Sequence, residues 1–333
     1  MLVFSSETSC DETSVCIMKE DKTVLSHIVY SQIIHSKHGG VVPELASRAH
    51  LEILQQITKE AVKESGVKLN DINLFSATCG PGLIGGLLIG STFTKSLSIG
   101  NNKPFIPINH LEAHILSGFY NNEIKFPHLS LLITGGHTQI YLLKNYNVME
   151  LIGETIDDAV GEAFDKVAKI LGLSYPGGPE IEKKALEGNE NSFELPQPLI
   201  NENNFNFSFS GLKTSVNLIA KKNIINQSFI KDMSASFQKC VGAILTSKLN
   251  RAIKELYQNN NKNLSVSVVG GVANNDYIKK CFENIEAREV VKFIYPPKYM
   301  MNDNAAMIAW ATILKHRNNH DLNFKPNPRL DIE

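Results

Sequence analysis

The feature that most constrains the fold is an order of elements that occurs twice in the chain. Three short apolar, β-branched runs at residues 2–8, 14–19 and 23–31 are separated by turn signals and predict three strands joined by hairpins. A helical pattern over 43–66 follows, and then strand, helix and strand lead to a helix that begins near His110. The first third of the chain is therefore predicted to be βββαβαβα.

The later part of the chain repeats this order. HLSLLIT, HTQIYLLK and VMELIGE predict three strands, and DDAVGEAFDKVAKILG predicts a helix. LSVSVVGG, NNDYIKKCFENIEA, VKFIYP and NDNAAMIAWATILKHR then predict strand, helix, strand and helix. The two parts share no obvious residue identity, so the repeat is one of element order only.

A duplicated βββαβαβα order predicts an α/β protein of two lobes with a ligand-binding cleft, the layout of the sugar kinase, Hsp70 and actin superfamily. We expect a first actin-like lobe over residues 1–124 and a second over 125–302. A helical insertion is expected in the second lobe near 176–237, and the closing helix 303–320 can pack back onto the first lobe.

Composition restricts the class of protein. The 333 residues are 43% hydrophobic and 20% charged, which is typical of a protein with a sizeable core. A formal net charge of −1 does not indicate nucleic-acid binding, so such a substrate would need a local basic patch or a basic partner. Five scattered cysteines without C-x-x-C favour a reducing, cytoplasmic location. Early acidic residues argue against a signal peptide, and no membrane span is expected because the most apolar run is broken by glycines and Lys95.

The segment NHLEAH at 109–114 resembles the zinc-protease signature H-E-x-x-H. His110 and His114 are four positions apart and would share one helix face, which suits metal chelation. Glu112 would point about 200° away from His110 at 3.6 residues per turn, so it is badly placed as a protease base. Two histidines that merely pack at a surface are the alternative interpretation.

Glycine-rich segments are candidates for binding a nucleotide. ITGGHTQ (133–139) and SVVGGVANN (267–275) can present backbone N–H groups to a phosphate, and Asn275 could reach a ribose or base. Taken alone, the first is better explained as a plain hairpin turn, and the second is equally consistent with a tight strand–helix connection. GEAFDKVAKILG places Glu162 and Asp165 one turn apart, which is usually a solvent-exposed face, and LSYPGGPEIE predicts a turn that enters a helix.

Acidic residues stand at two further places. ETSCDET puts Glu7, Asp11 and Glu12 at the first hairpin, where acids are common but could also position a nucleophile or a cation. MNDNAAM puts Asp303 near the start of the last helix, where an N-cap is the local interpretation. Alternatively, Asp303 is a carboxylate from the second lobe that completes a His–His–Asp site suited to Fe(II) or Zn(II).

Taken together, these segments resemble the TsaD/Gcp-type tRNA N6-adenosine threonylcarbamoyltransferases. Nine motifs occur in that family's order between residue 7 and about residue 312: ETSCDET, SKHGGVVPELASRAH, GPGLIGGLLIG, NHLEAH, ITGGHTQ, GETIDDAVGEAFDKVAKILGLSYPGGP, FSFSGLK, GGVANN and NDNAAM. The resemblance implies transfer of a threonylcarbamoyl group from threonylcarbamoyl-adenylate to N6 of the adenosine just 3′ of the tRNA anticodon, with release of AMP.

The resemblance also implies site residues. One divalent metal per chain, with Fe(II) expected and Zn(II) as the alternative, would be held by His110, His114 and Asp303. The residues implied for adenylate binding are Leu132, Ile133, Thr134, Gly135, Gly136, Asp165, Gly178, Glu182 and Asn275. We assign Asp11 as the candidate that orients or deprotonates the attacking amine.

The implied partners are tRNA, threonylcarbamoyl-adenylate, a paralogous actin-like subunit and a small ATPase, with no membrane. A basic strip with His35, Lys37, His38 and Arg48 is a candidate tRNA-facing edge. The alternative function is an actin-fold ATPase or sugar-kinase-like phosphotransferase, which would have no use for NHLEAH paired with Asp303. A non-catalytic scaffold would be expected to lack the histidine pair, and protease activity is rejected.

Overall fold

The computed structural model describes residues 1–257, 264–286, 291–315 and 321–332. Two compact units make up the chain. The first unit contains Met1–Asn122 and Pro296–Glu333, and the second unit contains Glu123–Tyr295. Each unit is built around one five-stranded sheet.

The strands and helices follow one another as the sequence patterns predict. The first part of the chain contains β1 (Leu2–Glu7), β2 (Glu12–Lys19), β3 (Val24–Ser31), α1 (Pro43–Ser65), β4 (Leu74–Gly80), α2 (Ile84–Gly100), β5 (Phe105–Asn109) and α3 (His110–Ser117). The rest contains β6 (His128–Ile133), β7 (Thr138–Asn145), β8 (Val148–Glu154), α4 (Val160–Ile170), α5 (Gly177–Ala185), α6 (Ser210–Lys221), α7 (Gln227–Tyr257), β9 (Leu264–Val269), α8 (Asp276–Glu286), β10 (Val291–Ile294) and α9 (Ala305–Lys315).

The two sheets have the same topology. In the first unit the strand order is β3-β2-β1-β4-β5, with β1 antiparallel to β2 and parallel to β4. In the second unit the order is β8-β7-β6-β9-β10, with β6 antiparallel to β7 and parallel to β9. Hairpins join the antiparallel strands, and helices make the crossovers that parallel pairing requires. The duplicated actin-like α/β fold predicted from the sequence is confirmed.

The first sheet is buried on both faces because its strands are apolar at successive positions. Side chains alternate between faces along a strand, so neighbours in β1 face opposite layers. Phe4 packs in a cluster with Leu54 and Ile57 of α1, whereas Val3 packs in a cluster with Trp310 of α9. Helix α9 therefore belongs to the first unit, although the chain reaches it only after the second unit is complete.

Three helices lie between α4 and β9 in the second unit. The last of them, α7, is 31 residues long and continues to Tyr257. Helix α6 begins inside the segment FSFSGLK because Asp157 accepts hydrogen bonds from the backbone N–H groups of Phe209 and Ser210. The closing helix, expected over 303–320, begins at Ala305, and residues 316–320 lie outside the described part of the chain. None of the helices described is both long and apolar enough to cross a membrane.

Candidate functional site

Helix α3 carries the two histidines and starts directly at the end of β5. Asn109 is its N-cap: the side-chain oxygen accepts hydrogen bonds from the N–H groups of Leu111 at 2.8 Å and Glu112 at 3.2 Å. The Asn109 amide group also donates to the carbonyl oxygens of Leu330 and Asp331, both at 3.1 Å. Strand β5, the N-cap and the C-terminal tail together fix the start of the helix that carries the histidines.

His110, His114 and Asp303 come together within the first unit. One ligand atom from each lies within 4.8 Å of the others. Asp303 Oδ1 is 3.0 Å from His114 Nε2 and 3.5 Å from His110 Nε2. The side chains of His114, His110 and Asp303 are 0%, 9% and 24% exposed, so the group is shielded but remains accessible through Asp303.

Asp303 differs from the sequence-based expectation in two respects. One interpretation took it from the second lobe, but it lies in the same compact unit as the histidines because α9 packs on the first sheet, the packing that the sequence analysis allowed for the closing helix. It is also not the acceptor that caps α9, because Asn304 Oδ1 accepts the hydrogen bond from Met307 N–H at 2.9 Å. The Asp303 carboxylate is therefore directed at the histidines instead of at its own helix.

Glu112 lies away from the histidine pair, as the helical spacing predicts. Its carboxylate forms an ion pair with Lys315 of α9 at 2.5 Å, and both side chains are largely buried. A glutamate held in this way cannot serve as the base of a zinc protease. The arrangement therefore removes the protease interpretation of NHLEAH.

Glu7, at the end of β1, supports the ring of His110. Its carboxylate is 0% exposed and its Oε2 is 3.2 Å from His110 Nδ1. The other oxygen accepts the backbone N–H of Ser9 at 2.6 Å, and the Thr78 hydroxyl donates to Oε2. The sequence analysis named Glu7 only as one of three acids at the first hairpin and did not connect it with His110. The available signal was its place at the carboxyl end of β1, since the carboxyl ends of parallel strands meet at one edge of a sheet.

Charges in this site determine its preference for a cation. Burial acts to lower the pKa of His110, but the negative charges of Asp303 and Glu7 outweigh it and hold that pKa well above the ordinary value. Burial acts to raise the pKa values of Glu7 and Asp303, but His110 outweighs it and lowers both. One buried and one partly buried carboxylate are therefore best accommodated with a positive charge beside them, whether a proton or a metal ion.

The residues present fit a divalent metal. Burial lowers the pKa of His114, which favours the neutral imidazole that ligates metals. The buried Nδ1 of His114 has no hydrogen-bond partner among the described residues, and Nε2 faces Asp303 at 3.0 Å. Two imidazoles and one carboxylate form the donor set that suits Fe(II) or Zn(II) and leaves positions for other ligands.

Asp11 lies half-buried in the turn between β1 and β2, next to Glu12. Helix α1 contacts this turn, because His50 Nε2 is 3.0 Å from the carbonyl oxygen of Cys10. Burial and the charges of Asp303 and Asp11 raise the pKa of Glu12 well above its ordinary value. The hairpin thus places Glu12, one of the three acids that the sequence analysis noted there, close enough to feel the charge of Asp303.

In the second unit, Leu132 and Ile133 are buried in β6 and lead into the β6–β7 turn. Thr134 Oγ1 accepts hydrogen bonds from the N–H groups of Gly136 at 3.2 Å and His137 at 2.9 Å. A Cβ added at Gly135 or Gly136 would meet no atom within 4 Å, so this turn offers backbone without obstruction.

Two other segments meet this turn through glycines. A Cβ at Gly161, in the first turn of α4, would lie 2.7 Å from the carbonyl oxygen of Thr134. Gly270, at the end of β9, has φ +97° and would place a Cβ 2.5 Å from the carbonyl oxygen of Ile133. Only glycine permits this close backbone approach. The two glycine-rich motifs of the sequence are therefore neighbours in the fold.

The remaining predicted residues of this unit already make protein contacts. Asp165 Oδ1 accepts the N–H of Gly177 at 2.6 Å, and a Cβ at Gly178 would meet open space. Glu182 Oε1 accepts the N–H of Asp276 at 2.6 Å, the first residue of α8. Asn275, only 7% exposed, caps α8 by accepting the N–H of Ile278 and donates to Gln238 at 2.8 Å.

The prediction that His35 belongs to a basic, tRNA-facing strip is wrong. That side chain is fully buried, with Nε2 2.9 Å from Gln32 Oε1, so it cannot belong to a tRNA-facing edge. His38 is exposed, whereas Arg48 is paired with Glu44 at 2.7 Å. The side chain of Lys37 lies outside what the structure describes.

Comparisons with known proteins agree on one family. The family model described as TsaD: tRNA N6-adenosine threonylcarbamoyltransferase matches residues 23–310. A protein of that name from Rickettsia rickettsii (strain Sheila Smith) is 46% identical over 337 residues, covering 99% of this chain and 98% of the relative. A protein of the same name from Wolbachia pipientis wMel is 44% identical, again covering 99% of this chain and 98% of the relative.

Solved structures support the fold independently of sequence. HypF from T. kodakarensis has a TM-score of 0.61 at 14% identity, covering 94% of this chain and 47% of HypF. Component A of (R)-2-hydroxyglutaryl-CoA dehydratase from Acidaminococcus fermentans has a TM-score of 0.54 at 14% identity, covering 95% of this chain and 99% of that protein. The family model matches most of the chain, and the relatives align with it over nearly their full length. The chain therefore belongs to the tRNA N6-adenosine threonylcarbamoyltransferase family.

Proposed function

We propose that this protein transfers the threonylcarbamoyl group of threonylcarbamoyl-adenylate to N6 of the adenosine just 3′ of the tRNA anticodon. The exocyclic amine attacks the carbamoyl carbon, a C–N bond forms, the C–O bond to the adenylate phosphate breaks and AMP leaves with that oxygen. The amine loses one proton. The observation that carries the proposal is the convergence of His110, His114 and Asp303 in a member of this family.

His110, His114 and Asp303 would hold one divalent metal, for which we propose Fe(II), with Zn(II) as the alternative that the same donors accept. When bound, such an ion supplies Lewis-acid polarisation of an oxygen ligand. The protein's own contribution is orientation: the N-cap at Asn109 and the carboxylate of Glu7 fix the histidines before any substrate arrives.

We assign adenylate binding to the second unit. The glycine turn after Ile133 has open space beside Gly135 and Gly136, so a phosphate could approach its backbone closely, and Gly178 lies in the first turn of α5 with open space beside it. Backbone donors of this kind can stabilise the negative charge that develops on a departing phosphate. Asp165 acts indirectly by fixing Gly177, and Glu182 and Asn275 fix the start of α8.

Asp11 is the group we propose to orient the amine and accept its proton. It stands in a turn whose geometry is fixed by the His50 contact to Cys10, while the neighbouring Glu12 is biased toward its protonated form. Glu12 in its protonated form would place a hydroxyl donor beside the carboxylate oxygens of Asp11 at the same turn.

The balance of charge bears on how tRNA is bound. The 33 Lys and Arg residues are offset by 34 Asp and Glu residues, so the chain has no net positive charge to attract the phosphate backbone of tRNA. We therefore propose that it binds tRNA jointly with other proteins in the cytoplasm, and the family resemblance implies that these are a paralogous actin-like subunit and a small ATPase.

Two experiments test the function. Nucleoside mass spectrometry of tRNA from depleted cells should show loss of threonylcarbamoyladenosine, restored by the wild type but not by His110→Ala. Purified protein with its partners, synthetic threonylcarbamoyl-adenylate and unmodified tRNA should form the modified nucleoside and AMP in equal amounts. ATP hydrolysis by the purified protein alone, with no transfer in the complete assay, would instead support the actin-fold ATPase interpretation.

A further inference from the structure

Glu7 is a buried acid whose oxygens are fully committed within the first unit. It ends β1, has no exposed surface and contacts three groups: Ser9 N–H at 2.6 Å on Oε1, and the Thr78 hydroxyl and His110 Nδ1 on Oε2, the latter at 3.2 Å. The residues it joins come from the carboxyl ends of β1, β4 and β5. The carboxylate therefore has one fixed orientation.

The ring of His110 is placed between two carboxylates. Its Nδ1 faces Glu7, and its Nε2 faces Asp303 at 3.5 Å. An imidazole ligates a metal through a nitrogen lone pair, so a metal beside Asp303 needs the proton of His110 to be on Nδ1. That tautomer is favoured when an acceptor lies at Nδ1, and an ionised carboxylate can only accept.

We propose that Glu7 is a positioning residue that holds His110 in the Nδ1–H tautomer, with the Nε2 lone pair directed at the metal position. This inference rests on the metal site of the proposed function. Ser9 Oγ is also 3.2 Å from Nδ1, but a hydroxyl can donate as readily as it accepts and does not by itself select a tautomer.

Glutamine is the informative substitution at this position. If its oxygen takes the place of Oε1 and accepts the Ser9 N–H, its NH₂ group faces His110 and favours a proton on Nε2. If the amide is reversed, the NH₂ group faces the Ser9 N–H. Both groups are hydrogen-bond donors, so they cannot bond to each other. Either orientation removes one of the contacts that the carboxylate makes.

The experiment is a Co(II) titration of metal-stripped wild type, Glu7→Gln and Thr78→Val, followed by the visible absorption of the bound ion. Glu7→Gln should bind Co(II) about 10- to 100-fold more weakly, as is typical when a carboxylate behind a ligating histidine is lost. Thr78→Val is the matched control, because it removes another donor to the same Oε2 but leaves the His110 contact. It should stay within about threefold of wild type.

The outcomes separate this inference from the function on which it rests. If the wild type binds no Co(II), the proposed metal site is wrong and the inference falls with it. If wild type and Glu7→Gln bind equally well, only the role of Glu7 is refuted.

A second measurement does not require the variant to fold. In wild type labelled with ¹⁵N-histidine and loaded with Zn(II), long-range ¹H–¹⁵N correlation should show the His110 proton on Nδ1. A proton on Nε2, with the metal on Nδ1, would overturn the inference.

Discussion

Replacing Lys315 by methionine removes the cation that faces Glu112 across the contact of α3 with α9. The two side chains are 12% and 10% exposed and their charged atoms are 2.5 Å apart. Helix α3 carries His110 and His114, and Asp303 lies just before α9, so this ion pair stabilises the packing that brings the candidate ligands together.

The expected loss is large because the carboxylate stays behind. Removing one partner of a buried pair leaves a charge without compensation and costs roughly 3–5 kcal/mol, and the residual exposure here favours the lower end, about 3 kcal/mol. Replacing both residues by methionine removes the stranded charge, so Glu112→Met with Lys315→Met should recover most of that loss. An exposed pair is worth far less, so Glu44→Gln, which breaks the Arg48 pair, should change stability by under about 0.5 kcal/mol.

The chain provides its own probe for this test. Trp310 is the single tryptophan, lies in α9 and donates from Nε1 to the carbonyl oxygen of Leu116 in α3 at 2.9 Å. Urea unfolding followed by Trp310 fluorescence therefore reports on this contact. With a slope of about 2 kcal/mol per molar urea, Lys315→Met should lower the midpoint by about 1.5 M. A shift no larger than that of Glu44→Gln would refute the reasoning.

Other variants test separate features. His110→Ala and His114→Ala should each abolish metal retention measured by elemental analysis, while wild-type metal content in either would remove that residue from the ligand set. Asn304→Ala should destabilise the first unit by about 1 kcal/mol through loss of the α9 N-cap, and an unchanged urea midpoint would show that another group caps this helix. Asn109→Asp keeps a capping oxygen for α3 but loses both donors to the C-terminal tail, so limited proteolysis should cut that tail faster without unfolding the protein; equal rates would mean that these bonds do not hold it. Burial lowers the pKa of His128 to about 3. As pH falls from about 6.5 toward 3, His128 therefore takes up a proton in the unfolded state but not in the folded state. This lowers the free energy of unfolding by up to about 1.4 kcal/mol for each pH unit. In His128→Gln, the plot of unfolding free energy against pH should be shallower by that amount.

Much of the fold could be predicted because its signals are local. Strand positions follow from alternating or continuous apolar runs, and the end of α1 follows from Gly66, which adopts φ +69° at the helix C-cap. The i,i+4 spacing of His110 and His114 predicted a shared face, and the same spacing placed Glu112 on the other side. These properties depend on residues within a few positions of each other, so no tertiary structure is needed to derive them.

The site required contacts between distant parts of the chain. Glu7 meets His110 103 positions later, and His114 meets Asp303 189 positions later, because parallel strands align their carboxyl ends and α9 returns to the first sheet. The sequence could show that His35 is basic but not that it is buried, and it could not reveal that Asn304 caps α9 and leaves Asp303 directed at the histidines. The sequence by itself determined the order of elements and the types of ligand. Only the tertiary structure decided which carboxylate faces which imidazole nitrogen, since that depends on how segments far apart in the sequence pack against each other.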